Sequence, residues 1–415
     1  MRLKLDNNIY YIDNDNFKTI QIRVLFHFKE KQKDLALSTL LPNLLNYMDE
    51  DYPDEDSFRR AKLEKYILNT SCGKHSIGLE ACMAFNMVIP DVDTLGEDLL
   101  EEQFKLFEGF IYRPLIVNNG FLEFELEREK ENLRTFIDNS YKNIKPYQSI
   151  KIKELIDDQN VLSMVITNNM ELIDKVNPNN LYEYYKNIIT NNNCTVFVMG
   201  NFNHKRMNQL LNKYIIKNRK SIDLNLKYNY FLKPRKEVLK VEEKSHFKDS
   251  SLSLVYKIKD MKEKDKVTLS MIHGLLTSLS SRLLNKKLRD EEELVYAAFA
   301  SPYIHYGCLE ITAFINKNNK DLVYKKILEV IKNLKNSKLI DPLLDNLKDR
   351  KRIALIKGLD DKYYIFNEVM LDVLKIEKTQ DIVYKKMLKV TSKDICELVD
   401  RLVLDTVYFI EEEDK

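Results

Sequence analysis

Tryptophan is absent from this chain of 415 residues, and glycine is scarce, with nine. So few glycines argue against the Gly-rich loops that cradle phosphates, and neither a Walker pattern nor a dinucleotide fingerprint occurs. Cysteine is thin as well. The five cysteines, Cys72, Cys82, Cys194, Cys308 and Cys396, are odd in number, scattered and never spaced as CxxC. This fits reduced cytoplasmic thiols better than a disulfide framework or a zinc knuckle. Six histidines are present, none of them between His27 and His75. His75, His204, His246, His273 and His305 show no metal-ligand spacing. An excess of either charge is also missing. Lys and Arg number 66 against 64 Asp and Glu, a formal +2, too balanced for a nucleic-acid or membrane-surface partner. No uncharged run approaches the ~18 residues of a transmembrane helix. The opening MRLKLDNNIYYIDND is charged throughout, so no signal peptide is expected. The expectation is a cytoplasmic protein with no nucleic-acid and no membrane partner.

What is present is an ordinary globular composition, 44% hydrophobic and 31% charged, long enough for two or three domains and a large core. Residues 1–30 read as two strands. In the second, Ile20, Ile22, Val24, Phe26 and Phe28 alternate with Gln21, Arg23 and His27, the pattern of a half-buried strand. His27 reads as structural. A Leu-rich helix over Leu35–Leu45 follows, with Pro42 expected to kink it or mark its first turn. Asp54 or Asp56 is a candidate N-cap for a helix to Leu68. Ile77–Ile89 is β-rich, and Asp93–Phe110 and Leu122–Tyr141 read as amphipathic helices. More helix runs to about Ile189, then the strand Cys194–Met199 stops at Gly200.

The second half restates the first. Leu252, Leu254, Tyr256 and Ile258 alternate like Ile20–Phe28, and a charged loop and a Leu-rich helix follow in both. A hairpin is expected from Leu294–Ser301 and Cys308–Ile315, turning near Gly307. Helices over Leu322–Leu334, Pro342–Leu355 and Tyr364–Leu374 follow, then a helix opening at Ser392 and a strand Thr406–Ile410. The expected fold class is α+β, with two homologous halves, each a mostly antiparallel sheet with packed helices. The halves span 1–220 and 236–415, and the polar segment 217–236 is the expected linker.

One stretch stands out, Ser281–Ser301, SRLLNKKLRDEEELVYAAFAS. Leu275, Leu276, Leu279, Leu283, Leu284 and Leu288 recur at helical spacing, so it begins inside a helix on which Arg282 and Arg289 share a face. The charges Asp290–Glu293 end that helix, and Leu294, Val295 and Tyr296 begin a strand. Spacing alone makes these first of all ordinary solvated helix and strand residues. A fixed guanidinium at Arg289 and a phenol at Tyr296 would nonetheless suit a peptide carbonyl or carboxylate.

The stretch resembles the segment SRL-x(5)-LR-x(4)-L-x-Y of the pitrilysin/insulinase superfamily, which includes the mitochondrial processing peptidases. Ser281, Arg282 and Leu283 match its lead-in, although Leu276–Ser280 lacks the family's usual glycines. Arg289 and Tyr296 match its Arg/Tyr pair. The resemblance implies a substrate-binding role for Arg289 and Tyr296, with Arg282 beside them. It also implies a LuxS/metallohydrolase-like fold of the processing-peptidase type. Active members of that family carry zinc on a first-half helix in the motif HxxEH, with a distal Glu. The matching positions here read Thr39-Leu40-Leu41-Pro42-Asn43. Thr39 and Asn43 are poor zinc ligands and Pro42 replaces the general base. Glu125–Leu133 resembles the family's ERE helix, and the distal ligand is then expected near Thr135 or Phe136, neither of them acidic. Ser280-Ser281 lacks a nucleophile-elbow frame, and Cys82 and Cys194 have no supporting motif.

The resemblance therefore implies the zinc-less bacterial subunit branch. The chain is expected to have no cofactor and no catalytic residue of its own. It would be a non-catalytic subunit, pairing as a heterodimer with a zinc-bearing HxxEH relative and presenting Arg289, Tyr296 and Arg282 to a peptide or protein substrate. The alternative is a peptide-binding or scaffold protein without a role in hydrolysis, of which an accessory in elongation factor P modification is one form.

Overall fold

The computed structural model describes all of the chain except residues 1, 2, 7, 158–160, 163, 165, 192, 218–225, 279, 280, 414 and 415. Its contacts divide the chain into two compact units. Unit 1 comprises Met1–Ile137 and Met164–Lys227, and unit 2 comprises Asp138–Ser163 and Tyr228–Lys415. The expected linker 217–236 falls in part on residues outside the described ones.

Unit 1 opens with three strands, β1 (Leu3–Asp6), β2 (Ile9–Asp13) and β3 (Thr19–Lys29), where the sequence suggests two. Helices α1 (Leu35–Leu45) and α2 (Glu55–Glu64) lead to the hairpin β4 (Asn69–Ile77) and β5 (Glu80–Pro90). Asp54 caps α2. Its side chain accepts from Ser57 N, and the Ser57 hydroxyl returns a bond to the Asp54 main chain, satisfying orphan groups of the first turn. Then come α3 (Val92–Leu95), α4 (Leu100–Tyr112) and α5 (Glu123–Tyr141). The next helix, α6 (Ile144–Ile156), lies in unit 2. Unit 1 resumes with α7 (Glu171–Asp174), α8 (Pro178–Asn191), β6 (Asn193–Gly200), α9 (His204–Leu210) and a π-helical turn, Leu211–Ile216.

The unit 1 sheet runs β1-β2-β6-β3-β5-β4. Every pairing is antiparallel except β2 with β6. Helices α4 and α8 pack on it through aromatic rings. Phe26 of β3 meets Phe85 and Tyr112 edge-on, Phe85 meets Phe110, and Phe110 stacks on Phe58 of α2. Strand β3 is not half-buried, because Gln21 and His27 are buried along with Ile20, Ile22, Val24, Leu25 and Phe26. Polar partners make this affordable: His27 bonds Thr195 at 3.1 Å, and Arg23 donates to Asn86 at 2.6 Å.

Unit 2 holds β7 (Leu239–Ser245), β8 (Ser250–Ile258), α10 (Asp265–Thr277), α11 (Leu283–Asn285) and a π-helical turn, Lys286–Glu291. The hairpin β9 (Val295–Tyr303) and β10 (Cys308–Ile315) follows. Then come α12 (Lys320–Asn333), α13 (Ser337–Gly358), α14 (Lys362–Val373), α15 (Gln380–Met387), α16 (Ser392–Asp400) and β11 (Leu402–Glu412). The sheet order is β7-β11-β8-β10-β9, antiparallel except for β7 with β11. One face carries Leu252, Leu254, Leu309 and Ile311 against Leu276, Val323, Leu344 and Leu398 of the surrounding helices. The other face is covered by α6, whose Ile152 and Ile156 pack near Val255, Cys308 and Tyr408. On that face Gln148 Nε2 reaches Ser253 at 2.8 Å, Glu310 at 2.7 Å and Thr312 at 3.1 Å. Both units are thus α+β, a mixed but mostly antiparallel sheet with packed helices.

Candidate functional site

The helix expected to carry a metal is α1. Its leucines turn inward, and Pro42 sits in its interior, not at its first turn. Proline has no N–H, so the Ser38 carbonyl loses its intrahelical donor. Ser38 itself is buried and donates to Glu30 at 3.0 Å. Lys74 of β4 joins this group, with Nζ 2.8 Å from Glu30 Oε2, 3.0 Å from Ser38 Oγ and 3.4 Å from Thr39 Oγ1. The Thr39 hydroxyl donates back to Leu35 O at 2.7 Å.

One turn on, Asn43 Nδ2 donates to Glu129 Oε2 at 3.0 Å. Glu129 is on α5, six or seven residues before the expected positions Thr135 and Phe136, so the carboxylate facing α1 is Glu129 and not an empty place at 135–136. Asn132 Nδ2, at 3.3 Å, and Arg128 Nε, at 3.4 Å, hold its other oxygen. The register was missed because a Glu-rich helix offers several equivalent carboxylates, and only the packing of α5 selects one.

These residues do not fit zinc. A hydroxyl engaged with its own helix, a proline and an amide that points its NH2 at Glu129 replace the imidazoles and base that such a site needs. The Lys74 ammonium adds a fixed positive charge beside Thr39. Among the described residues no group of three His, Cys, Asp or Glu side chains could hold a metal ion.

The C-terminal stretch is less regular than its leucine spacing implies. Helix α10 ends at Thr277, and Leu279 and Ser280 lie outside the described residues. Arg282 has φ +37°, a left-handed conformation that breaks the helix. Arg282 and Arg289 therefore do not share the face of one continuous helix. Arg282 reaches Asp290 at 3.3 Å. Arg289 is exposed on the π-helical turn Lys286–Glu291. Such turns often mark functional places in helices.

Tyr296 lies on β9, the edge strand of its sheet, and is 60% exposed. It is also a bulged residue. Ala297 pairs with Phe314 and Val295 with Ile315, which leaves Tyr296 without a partner in the ladder. A bulge re-aims a side chain out of the alternating pattern. Neither Arg289 nor Tyr296 makes an ion pair or side-chain hydrogen bond with a described residue.

Asn285 sets the position of this strand. Its Nδ2 donates to Ala298 O at 2.8 Å and its Oδ1 accepts from Ala298 N at 3.1 Å. The same device occurs on β4, the edge strand of unit 1. There Asn46 Nδ2 donates to Cys72 O at 3.0 Å and Asn46 Oδ1 accepts from Cys72 N at 2.6 Å. Sequence reasoning passed over both asparagines, since a lone Asn after a leucine run gives no signal beyond a helix end.

Comparison with known proteins agrees with this geometry. Residues 175–350 match the Peptidase M16 inactive domain. The chain is 20% identical over 410 residues to the probable inactive metalloprotease YmfF of Bacillus subtilis (strain 168), covering 97% of this chain and 95% of that protein. A conserved protein from Enterococcus faecalis V583 has the same fold, with TM-score 0.87, 21% identity and coverage of 98% of this chain and 96% of that one. A protease from Helicobacter pylori follows, with TM-score 0.77, 15% identity and 99% of both chains. No helix among the described residues is long and apolar enough to cross a membrane. The match over 175–350 takes in Arg289 and Tyr296, and over nearly its whole length the chain is similar to a probable inactive metalloprotease and shares the fold of these solved structures.

Proposed function

We propose that the chain is a non-catalytic subunit of a heteromeric insulinase-type metallopeptidase. It pairs in the cytoplasm with a zinc-bearing HxxEH relative and lends its Arg/Tyr pair to a shared peptide or protein substrate. The observation that supports this most is the condition of the two sites. At Thr39, Pro42 and Asn43 the metal-binding chemistry is replaced by internal hydrogen bonds. At Arg289 and Tyr296 both polar groups stand exposed, without an ion pair or side-chain hydrogen bond to a described residue.

An exposed guanidinium can hold a peptide carbonyl or carboxylate through two parallel N–H donors. A phenol donates one hydrogen bond, and aimed at a carbonyl oxygen it stabilises the negative charge that develops there. Arg282, drawn to Asp290, lies at the margin of this surface and contributes charge more than contact. The hydrolytic chemistry belongs to the partner chain, and zinc is expected only there. On this reading the two halves, 1–220 and 236–415, are joined through 217–236.

The test is co-expression with an HxxEH relative, followed by turnover of a peptide by the purified complex. Tyr296→Phe should lower turnover by ~100- to 1,000-fold, the scale of a lost oxyanion donor. Arg289→Ala should mainly raise KM. Both variants should keep the melting temperature and partner binding of the wild type. Wild-type turnover by both leaves a scaffold and removes the proposed role.

A further inference from the structure

Unit 1 has a cleft of about 310 Å3 between the end of α1, the outer side of α2 and the start of β4. Phe58, 1% exposed, is its apolar floor. The side chains around that ring are mostly donors. Lys62 Nζ stands 5.1 Å from the Phe58 ring centroid. It makes no ion pair with a described residue, and burial pushes its ammonium below the ordinary lysine value. Thr70 lines the cleft and is 7% exposed, and its buried hydroxyl has no hydrogen-bond partner among the described residues. Arg59 uses its guanidinium on Asp56 at 2.5 Å, with further N–H groups to spare.

Acceptors are few. Glu55 is the one carboxylate on the wall. The Asn46 amide is committed to Cys72 and to Pro42 O. Lys62 feels Glu55 and the Phe58 ring but makes no ion pair with a described residue. A half-buried cation and a buried hydroxyl short of acceptors are relieved by a ligand that brings oxygen acceptors. The Asn46 clip adds a constraint. It occupies both main-chain groups of Cys72, so an extended peptide cannot add to β4 at that point. A ligand must enter with a side chain.

We infer that this cleft binds the carboxylate of an acidic peptide side chain, with Lys62 as counter-ion, Thr70 as hydrogen-bond donor and the Phe58 ring beneath the methylenes. The site is separate from Arg289 and Tyr296 and does not depend on them.

The experiment is calorimetric titration of the full chain with an acetylated, amidated hexapeptide carrying one central Glu, and with its Gln twin. The Glu peptide should bind at least tenfold more tightly. Lys62→Gln should erase that preference, Lys62→Arg should keep it, and Thr70→Val should weaken the Glu peptide several-fold. Melting curves confirm that each variant is folded. Equal affinity for the two peptides, or an unchanged preference in Lys62→Gln, overturns the inference. Inorganic phosphate binding more tightly than the Glu peptide makes the cleft a simple ion site and overturns it too. Arg289→Ala should leave the titration unchanged. If it alone abolishes Glu-peptide binding, the carboxylate is held in unit 2, and the inference falls while the proposed subunit role stands.

Discussion

Asn43 and Glu129, 86 residues apart in sequence, are joined by a 3.0 Å hydrogen bond from amide to carboxylate. The bond ties α1 to α5 where a metal would otherwise link them. A hydrogen bond to a carboxylate contributes about 1.5–3 kcal/mol, and the exposure of Asn43 puts this one toward the low end. Asn43→Ala should therefore lower the unfolding free energy by that order, seen as a lower denaturant midpoint, while chelation should change nothing. The check is a denaturation curve with and without EDTA, together with elemental analysis. One tight zinc per purified chain is the outcome that contradicts this account.

Asp49 makes the stability of unit 1 depend on pH in one direction. Burial pushes its carboxyl up to about 6, although the Tyr52 and Asp51 amides bond it. One carboxylate oxygen has no hydrogen-bond partner. The folded chain then holds a proton that the unfolded chain releases near 3.8, so this group's contribution is full below about 3.8 and is lost as pH rises through about 6. Asp49→Asn keeps the turn acceptor and removes the charge. It should stabilise the protein at pH 8 by up to ~3 kcal/mol and have little effect at pH 4. Melting temperatures of the two proteins across pH 4–8 decide it.

His27 acts in the opposite sense. Burial lowers its imidazole to about 4, so the folded state keeps it neutral where the unfolded state, near 6.5, takes a proton. Stability from this group is present above pH 6.5 and is lost as pH falls toward 4. His27→Gln retains a partner for Thr195 and should flatten the acid limb of the stability profile by ~3 kcal/mol at most. An acid limb as steep as the wild type's would show that other groups govern it.

The Asn285 clip should be measurable one amide at a time. Ala298 is buried, and removing Asn285 leaves its N–H and C=O without their partner, a cost of about 1–3 kcal/mol per group. Asn285→Ala should speed hydrogen exchange at Ala298 well before global unfolding and should move Tyr296 with the strand. Unchanged exchange there would mean that the clip is ornamental.

Proteolysis should begin between the units, in the first part of 217–236. Tyr230 N donates to His305 O at 2.7 Å and Leu232 N to Tyr306 O at 2.9 Å, so the later part is pinned. The sequence there offers trypsin Lys217, Arg219, Lys220 and Lys227, and polar linker sequences are preferred nicking sites. Two fragments of similar size are expected on a denaturing gel, held together in the native protein because Asp138–Ser163 belongs to unit 2. A first cut inside either unit contradicts the boundary.

The architecture was largely legible from alternation and repetition. The hairpin β9–β10, the helices α12, α13, α14 and α16 and the strands β8 and β11 lie where the apolar periods put them, while α15 gave no such signal. Three things were not legible, each for a physical reason. Arg282 breaks a leucine-spaced helix by adopting φ +37° without glycine or proline to announce it. Glu129 was hidden among neighbouring glutamates because the choice depends on packing across 86 residues. Helix α6 reads as part of the first half, yet Gln148 binds the unit 2 sheet, and periodicity cannot say which sheet a helix will cover. The exposed state of Arg289 and Tyr296 likewise follows from a π-helical turn and a bulge, neither of which leaves a mark on composition.

Strands β6 and β11 each enter a sheet between two strands synthesised much earlier. β6 slots between β2 and β3, and β11 between β7 and β8. A chain leaving the ribosome with its N-terminus first holds β2 and β3 apart until residue 200 has emerged, and β7 and β8 apart until residue 412. Each sheet therefore closes late and in one step, the slow and exposed mode of assembly expected of distant pairings. Between those moments β8 shows a row of unpaired main-chain groups to every other nascent chain nearby, which makes the half-finished protein a natural client for chaperones.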